Sequence, residues 1–208
     1  MPSVNFRLLL VTDRTQAGGR SLPSLIRQAV SAGLSAVQLR ERDLSTREFL
    51  PLAQEIQSIT ASHAVSLIIN DRVDLMLALN LDGVHLRSDS LLPFPVRRLI
   101  GPRRLIGVST HSVDDVRYAN QGGADYVVFG PIFETPSKRS FGAPLGLDLL
   151  ADACRQSSIP VLAIGGITCE RVRDVRRAGA HGVAVIGALL TRDDIGEAVR
   201  EFNHALET

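Results

Sequence analysis

Charge of one sign, cysteine and long apolar runs are all scarce in this 208-residue chain. Its 23 Lys and Arg against 22 Asp and Glu leave a formal net charge of +1. That balance offers no broad field for nucleic acid or an anionic membrane surface, so any anion site must be local. There are two cysteines, Cys154 and Cys169. They fall in separate expected helices with no metal-ligand spacing around them, and read as free thiols rather than a bridge. No apolar run approaches the roughly 20 residues of a membrane span. Residues 1–7 lack the apolar stretch of a signal peptide, so the cytoplasm is the expected compartment. No charge block, low-complexity segment or long linker divides the chain, and one domain over 1–208 is expected.

Alternation is what the sequence does have. Short apolar runs stand at about 7–12, 34–40, 65–69, 82–86, 104–109, 124–130, 159–164 and 181–186. Amphipathic stretches lie between them at about 22–33, 45–62, 72–79, 93–100, 112–121, 145–154, 169–178 and 193–206. The runs are nearly all apolar, as in Leu8-Leu9-Leu10-Val11, which is how strands buried on both faces of a parallel sheet read. Several helical stretches stop at glycine, as at Gly33, Gly122 and Gly179. Eight strand–helix units in an α/β chain of this length predict a single (β/α)8 TIM barrel. The competing architecture is an open doubly wound sheet, which usually has five or six strands.

The most informative segment is Ile159-Pro160-Val161-Leu162-Ala163-Ile164-Gly165-Gly166-Ile167-Thr168. An apolar strand runs into a glycine pair and then a helix start. Such a turn brings backbone N–H groups close to an anion and reads as a phosphate cradle. About twenty residues later, Val185-Ile186-Gly187-Ala188 repeats the pattern.

In a barrel the chemistry sits at the C-terminal strand ends. Gln38 and Arg40 alternate after the second run and share a side. Arg40 there suits a phosphate or pyrophosphate; the alternative is an ion pair with Glu41, Asp43 or Asp71. Asn70-Asp71 suits Mg²⁺, while Asp71 equally suits the cap of the next helix. Asp89 is either a second metal carboxylate or a loop residue. His111 follows the fifth run, where it can transfer a proton near neutral pH or serve as a polar loop residue. His85 lies inside the fourth run and reads as a hydrogen-bonded core histidine. Lys138 follows a loop long enough to act as a lid, or is a solvated lysine.

These clusters, in this order, resemble the thiamine phosphate synthase / TenI family of small TIM barrels. The matching pieces are Val37-Gln38-Leu39-Arg40-Glu41-Arg42, Ile69-Asn70-Asp71-Arg72, Gly83-Val84-His85-Leu86, Gly107-Val108-Ser109-Thr110-His111-Ser112, the stretch from Ala124 to Phe133, and Ala163-Ile164-Gly165-Gly166-Ile167. The resemblance implies a thiamine-biosynthesis enzyme acting on a small-molecule phosphate, with a homodimer compatible and no nucleic acid or membrane partner. It has two branches. The synthase joins an aminopyrimidine pyrophosphate to a thiazole phosphate with Mg²⁺ and releases pyrophosphate. In that branch Gln38 contacts the pyrimidine. Arg40, Arg42, Asn70, Ser109, Thr135 and Lys138 serve substrate binding, mainly at the pyrophosphate. Asp71 and Asp89 serve the metal. The turns at Gly165, Gly166, Gly187 and Ala188 hold the thiazole phosphate. The TenI branch keeps that cradle, needs no cofactor, and aromatises the thiazole by moving a proton, with His111 as the expected transfer residue.

Three departures from the synthase pattern favour the tautomerase. Arg42 stands where a lysine is usual. Ser90 aligns with the usual metal aspartate, with Arg87 adding positive charge nearby. Glu134 stands in the sixth loop, where it suits a second acid/base group beside His111. The expectation is therefore a TenI-type thiazole tautomerase, with thiamine phosphate synthase as the alternative. A non-catalytic sensor of a phosphate ligand is a third reading.

Overall fold

The computed structural model describes residues 4–135 and 143–207. Eight parallel strands follow one another around a closed barrel: β1 (Leu8–Val11), β2 (Ala36–Leu39), β3 (Ser66–Asn70), β4 (Gly83–Leu86), β5 (Leu105–Thr110), β6 (Tyr126–Phe129), β7 (Val161–Ile164) and β8 (Gly182–Val185). The closing pair is β1 with β8, in the register Leu9 to Ala184. The helices are α1 (Leu22–Ser31), α2 (Thr46–Ala61), α3 (Val73–Leu79), α4 (Pro93–Ile100), α5 (Val113–Gln121), α6 (Gly146–Gln156), α7 (Cys169–Arg177), α8 (Gly187–Leu190) and α9 (Ile195–Glu207).

The barrel is the architecture that the alternation predicts, and the open sheet is excluded. Expected and observed element ends differ by no more than two residues. The sequence reading missed α8. Its four residues are too short to show a helical period, and they follow β8 without a break.

Local signals set the helix starts. Ser45 accepts from the Glu48 amide while Glu48 accepts from the Ser45 amide, a reciprocal capping box that opens α2. Ser112 and Asp115 form the same device at α5.

The strands alternate between two cores. Outward residues such as Leu8, Leu10, Val37, Ile69, Val127 and Val183 pack against the helices. Inward residues such as Leu9, Ala36, Ile68, Leu105, Tyr126 and Leu162 fill the barrel. Two residues nearer the C-terminal ends, the same inward rows turn polar. Ala36 gives way to Gln38, Ile68 to Asn70, Gly83 to His85 and Gly107 to Ser109. The period of two that builds the core therefore also aims these side chains into the mouth.

Candidate active site

A cavity of about 820 Å³ opens at the C-terminal ends of the strands. Gln38, Arg40, Arg42, Asn70, Asp89, Ser109, His111, Glu134, Thr135, Gly165, Gly166, Gly187 and Ala188 all line it. The fold thus brings together nearly all the residues expected from sequence. Lys138 lies outside the described residues. Asp71 does not line the cavity, although its neighbour Asn70 and its ion-pair partner Arg87 do.

Polar residues on the inward rows line part of this cavity. Gln38 is 3% exposed, and its Nε2 donates to Asn70 Oδ1 at 3.1 Å. That bond fixes the Gln38 amide, and among the described residues its carbonyl oxygen has no hydrogen-bond partner. His85 is buried with hydrogen bonds at both ring nitrogens, as a core histidine should be, yet it also lines the cavity.

Cations lie beyond β2 and β4. The Arg40 amide donates to Thr12 Oγ1 at 2.9 Å, and Thr12 is fully buried, so the chain is pinned where Arg40 departs. Among the described residues, the Arg40 guanidinium has no ion pair or hydrogen bond. Among the described residues, none of the carboxylates weighed as its partners forms an ion pair with it. Asp43 pairs with Arg14 at 2.8 Å, and Asp71 lies 4.0 Å from Arg87. Glu41 is buried and accepts from the Arg14 amide at 3.0 Å. Burial and the neighbouring Arg42 lower the Arg40 pKa, while Asp13 and Glu41 oppose that shift. A half-buried guanidinium with no hydrogen-bonded partner among the described residues has donors to offer an anion.

The two carboxylates differ in their surroundings. Asp71 does not cap α3, whose first turn has no side-chain cap. It adopts φ +63°, unusual for a non-glycine residue, and its buried Oδ1 has no hydrogen-bond partner among the described residues. Asp89, the other carboxylate expected near a metal, is already paired. It is exposed and bound to Arg87 at 2.5 Å, and that hydrogen bond lowers its pKa. The pairing spans only two residues in a turn, and nothing in the sequence signals it.

The glycine turns stand across the mouth. Gly165 and Gly166 have φ of +97° and +63°. A Cβ on Gly165 would stand 2.6 Å from Pro131 Cβ, and one on Gly166 would stand 2.6 Å from the Glu134 carbonyl oxygen. The loop after β6 is docked on them: the Ile132 amide donates to Ile164 O at 2.8 Å, and the Phe133 amide to Gly165 O at 3.0 Å. In the described loop hydrogen bonds both glycines serve only as acceptors, which leaves their amides available. The first amides of α8 lack intrahelical partners by geometry.

His111 is exposed at the rim, and its Nδ1 lies 2.6 Å from Gly130 O. A carbonyl only accepts, so Nδ1 carries the proton and neutral His111 has a basic Nε2. Glu134 is also exposed at the cavity.

Some lining residues gave no sequence signal. Gln16 sits in the 3-10 turn after β1, with its Oε1 2.9 Å from where a Gly187 Cβ would be. Arg171 reaches back from α7 to Gly166 O at 2.6 Å and lies over the Phe133 ring, 4.5 Å from its centre. Both depend on contacts between distant segments.

The thiamine monophosphate synthase family profile (TMP-TENI) matches residues 8–189. The chain belongs to this family. A thiamine-phosphate synthase of Syntrophomonas wolfei subsp. wolfei is 44% identical over 200 residues, covering 95% of this chain and 95% of that protein. A thiamine-phosphate synthase of Clostridium novyi is 40% identical over 192 residues, covering 92% and 94%. The solved thiamine phosphate pyrophosphorylase of Pyrococcus furiosus superposes with a TM-score of 0.88 at 30% identity, covering 97% of this chain and 95% of that one. These relatives carry the names of the transferase branch of the thiamine monophosphate synthase family. Among the described residues, no helix is long and apolar enough to cross a membrane.

A synthase of this family implies Mg²⁺. Among the described residues, no group of three or more His, Cys, Asp or Glu could hold a metal. The unpartnered Asp71 Oδ1 nevertheless fits an ion that takes one protein carboxylate and completes its shell with substrate phosphate oxygens and water.

Proposed function

We propose that the chain is a thiamine-phosphate synthase: it couples an aminopyrimidine diphosphate to a thiazole phosphate and releases pyrophosphate. Arg40 is the observation that carries this reading. It is a half-buried cation at the cavity whose guanidinium has no ion pair or hydrogen bond among the described residues, and it follows β2, whereas the glycine turns follow β7 and β8. One anion-receptive side suits a single phosphate substrate; two suit a diphosphate and a phosphate together. The names of the relatives at 40–44% identity support the same branch. Sequence departures at Arg42, Ser90 and Glu134 argued for the isomerase, and the transferase is preferred over it on these two grounds.

In this mechanism the Gln38–Asn70 pair offers the Gln38 carbonyl to the pyrimidine's amino group. Arg40 and Arg42, with Ser109 and Thr135, hold the diphosphate. Asp71 would hold Mg²⁺, which when bound would supply positive charge to offset that of the leaving pyrophosphate. The amides of Gly165, Gly166, Gly187 and Ala188 hold the thiazole phosphate and so orient the ring toward the pyrimidine. The carbon–oxygen bond to the diphosphate breaks, and a carbon–nitrogen bond to the thiazole forms. Holding both partners in one cavity replaces a collision with an intramolecular geometry.

A tautomerase remains the second reading, because His111, whose Nε2 has no hydrogen bond among the described residues, lines the cavity together with Glu134. The two readings separate on His111→Ala and Arg40→Gln. For the transferase, R40Q raises the KM for the pyrimidine diphosphate about tenfold or more, and H111A retains product formation. Loss of thiazole proton exchange in H111A, with R40Q unaffected, would support the tautomerase instead.

A further inference from the structure

Tyr126 is fully buried inside the barrel, and His85 is 2% exposed. The Tyr126 hydroxyl lies 3.2 Å from His85 Nδ1, and His85 Nε2 lies 2.9 Å from Ser109 Oγ. The three side chains come from β6, β4 and β5. They form a line from the interior to the cavity, which His85 and Ser109 line and Tyr126 does not. Gly107 leaves the room for it: a Cβ there would stand 2.4 Å from the Tyr126 hydroxyl and 2.5 Å from His85 Nδ1. The Phe6 ring meets Tyr126 edge-on, 5.5 Å between centres, and holds the phenol from the other direction.

One arrangement of protons satisfies every group. Among the described residues, the Tyr126 hydroxyl has no hydrogen-bond partner except His85. A ring proton on Nδ1 would leave the buried O–H with no acceptor, which native interiors avoid. The Tyr126 O–H therefore donates to Nδ1. An imidazole this buried, with a hydroxyl at each ring nitrogen and no carboxylate beside it, is held neutral and carries one ring proton. That proton is on Nε2, and it is donated to Ser109 Oγ. The hydroxyl proton of Ser109 is then turned away from His85 and toward the cavity.

We propose that Tyr126 and His85 are positioning residues that fix the Ser109 hydroxyl as a hydrogen-bond donor to the diphosphate of the pyrimidine substrate. The identity of that ligand rests on the transferase reading above. Neither residue touches substrate through its reactive atoms; both act through Ser109. A serine free to rotate would instead donate to His85 and present only lone pairs to an anion.

The ¹⁵N NMR spectrum of His85 in the ligand-free wild-type protein tests the relay without any variant. The expected signature is a protonated Nε2 and an unprotonated Nδ1; a protonated Nδ1 overturns the proposal. Titration with inorganic pyrophosphate and Mg²⁺ tests the consequence. S109A should weaken binding about tenfold or more. Y126F should weaken it about threefold to tenfold through a changed His85 tautomer population, with thiazole phosphate affinity unchanged. Y126F binding pyrophosphate as tightly as wild type, while S109A does not, overturns the positioning role. Wild-type protein with the Nε2 tautomer that fails to bind pyrophosphate overturns the diphosphate assignment, and marks the transferase reading as the step that failed.

Discussion

Asp71 and Asp89 show how far a single residue's identity can mislead. Both are carboxylates at the ends of neighbouring strands, and both suit Mg²⁺ by type. In the structure, Asp89 is occupied by Arg87 at 2.5 Å, whereas Asp71 keeps a buried oxygen with no partner. The two should therefore separate in metal dependence. D71N is expected to raise the Mg²⁺ concentration for half-maximal pyrophosphate release about tenfold or more, as removal of a metal carboxylate should. D89N should change it less than about threefold, as an exposed ion pair contributes little. Equal effects of the two variants would contradict this assignment. Gln38, Asn70 and Ser109 were legible in the sequence because they stand at strand ends, in pieces that resemble the family. The Arg87–Asp89 clamp was not, because it depends on the backbone of one turn. The Tyr126–His85–Ser109 line was not either, because only closure of the barrel brings residues 41 positions apart within 3.2 Å.

At the level of elements, the turn after β7 is closely fitted in the mouth. Its glycines adopt positive φ and lie against the loop after β6, with no space for a side chain. The strand–Gly-Gly–helix order was readable because it needs only local signals. The dependence of that turn on Pro131, Phe133 and Arg171 was not, since these come from other parts of the chain. G166A would place a Cβ 2.6 Å from the Glu134 carbonyl oxygen and 2.8 Å from Phe133 Cβ, at φ +63°. It should cost about 1–3 kcal/mol of stability. It should also raise the KM for thiazole phosphate far more than that for the pyrimidine diphosphate. Urea unfolding and initial-rate kinetics check the two parts separately. A rise confined to the pyrimidine substrate would place the cradle elsewhere.

For the whole molecule, the barrel interior carries a titratable group that couples folding to pH. Burial lowers the His85 pKa from 6.5 to about 3, so the folded state favours the neutral ring. The unfolded chain binds the proton first as pH falls. The His85 contribution is complete above pH 6.5 and is lost as pH falls toward 3. Between pH 7.5 and 4.5 the loss should be on the order of 2–3 kcal/mol. Urea unfolding of wild type and H85Q checks this, since the variant should lack that part of the pH dependence. Parallel curves for the two proteins would show that His85 does not titrate as its burial requires.

The same barrel opens one mouth with two anion-receptive sides, and the central claim is that both are used in one reaction. Incubating the wild-type protein with the aminopyrimidine diphosphate, the thiazole phosphate and Mg²⁺, and measuring pyrophosphate release, tests this most directly. The account predicts release that requires both substrates and matches the coupled product one for one. No release, with proton exchange into the thiazole alone, would contradict it.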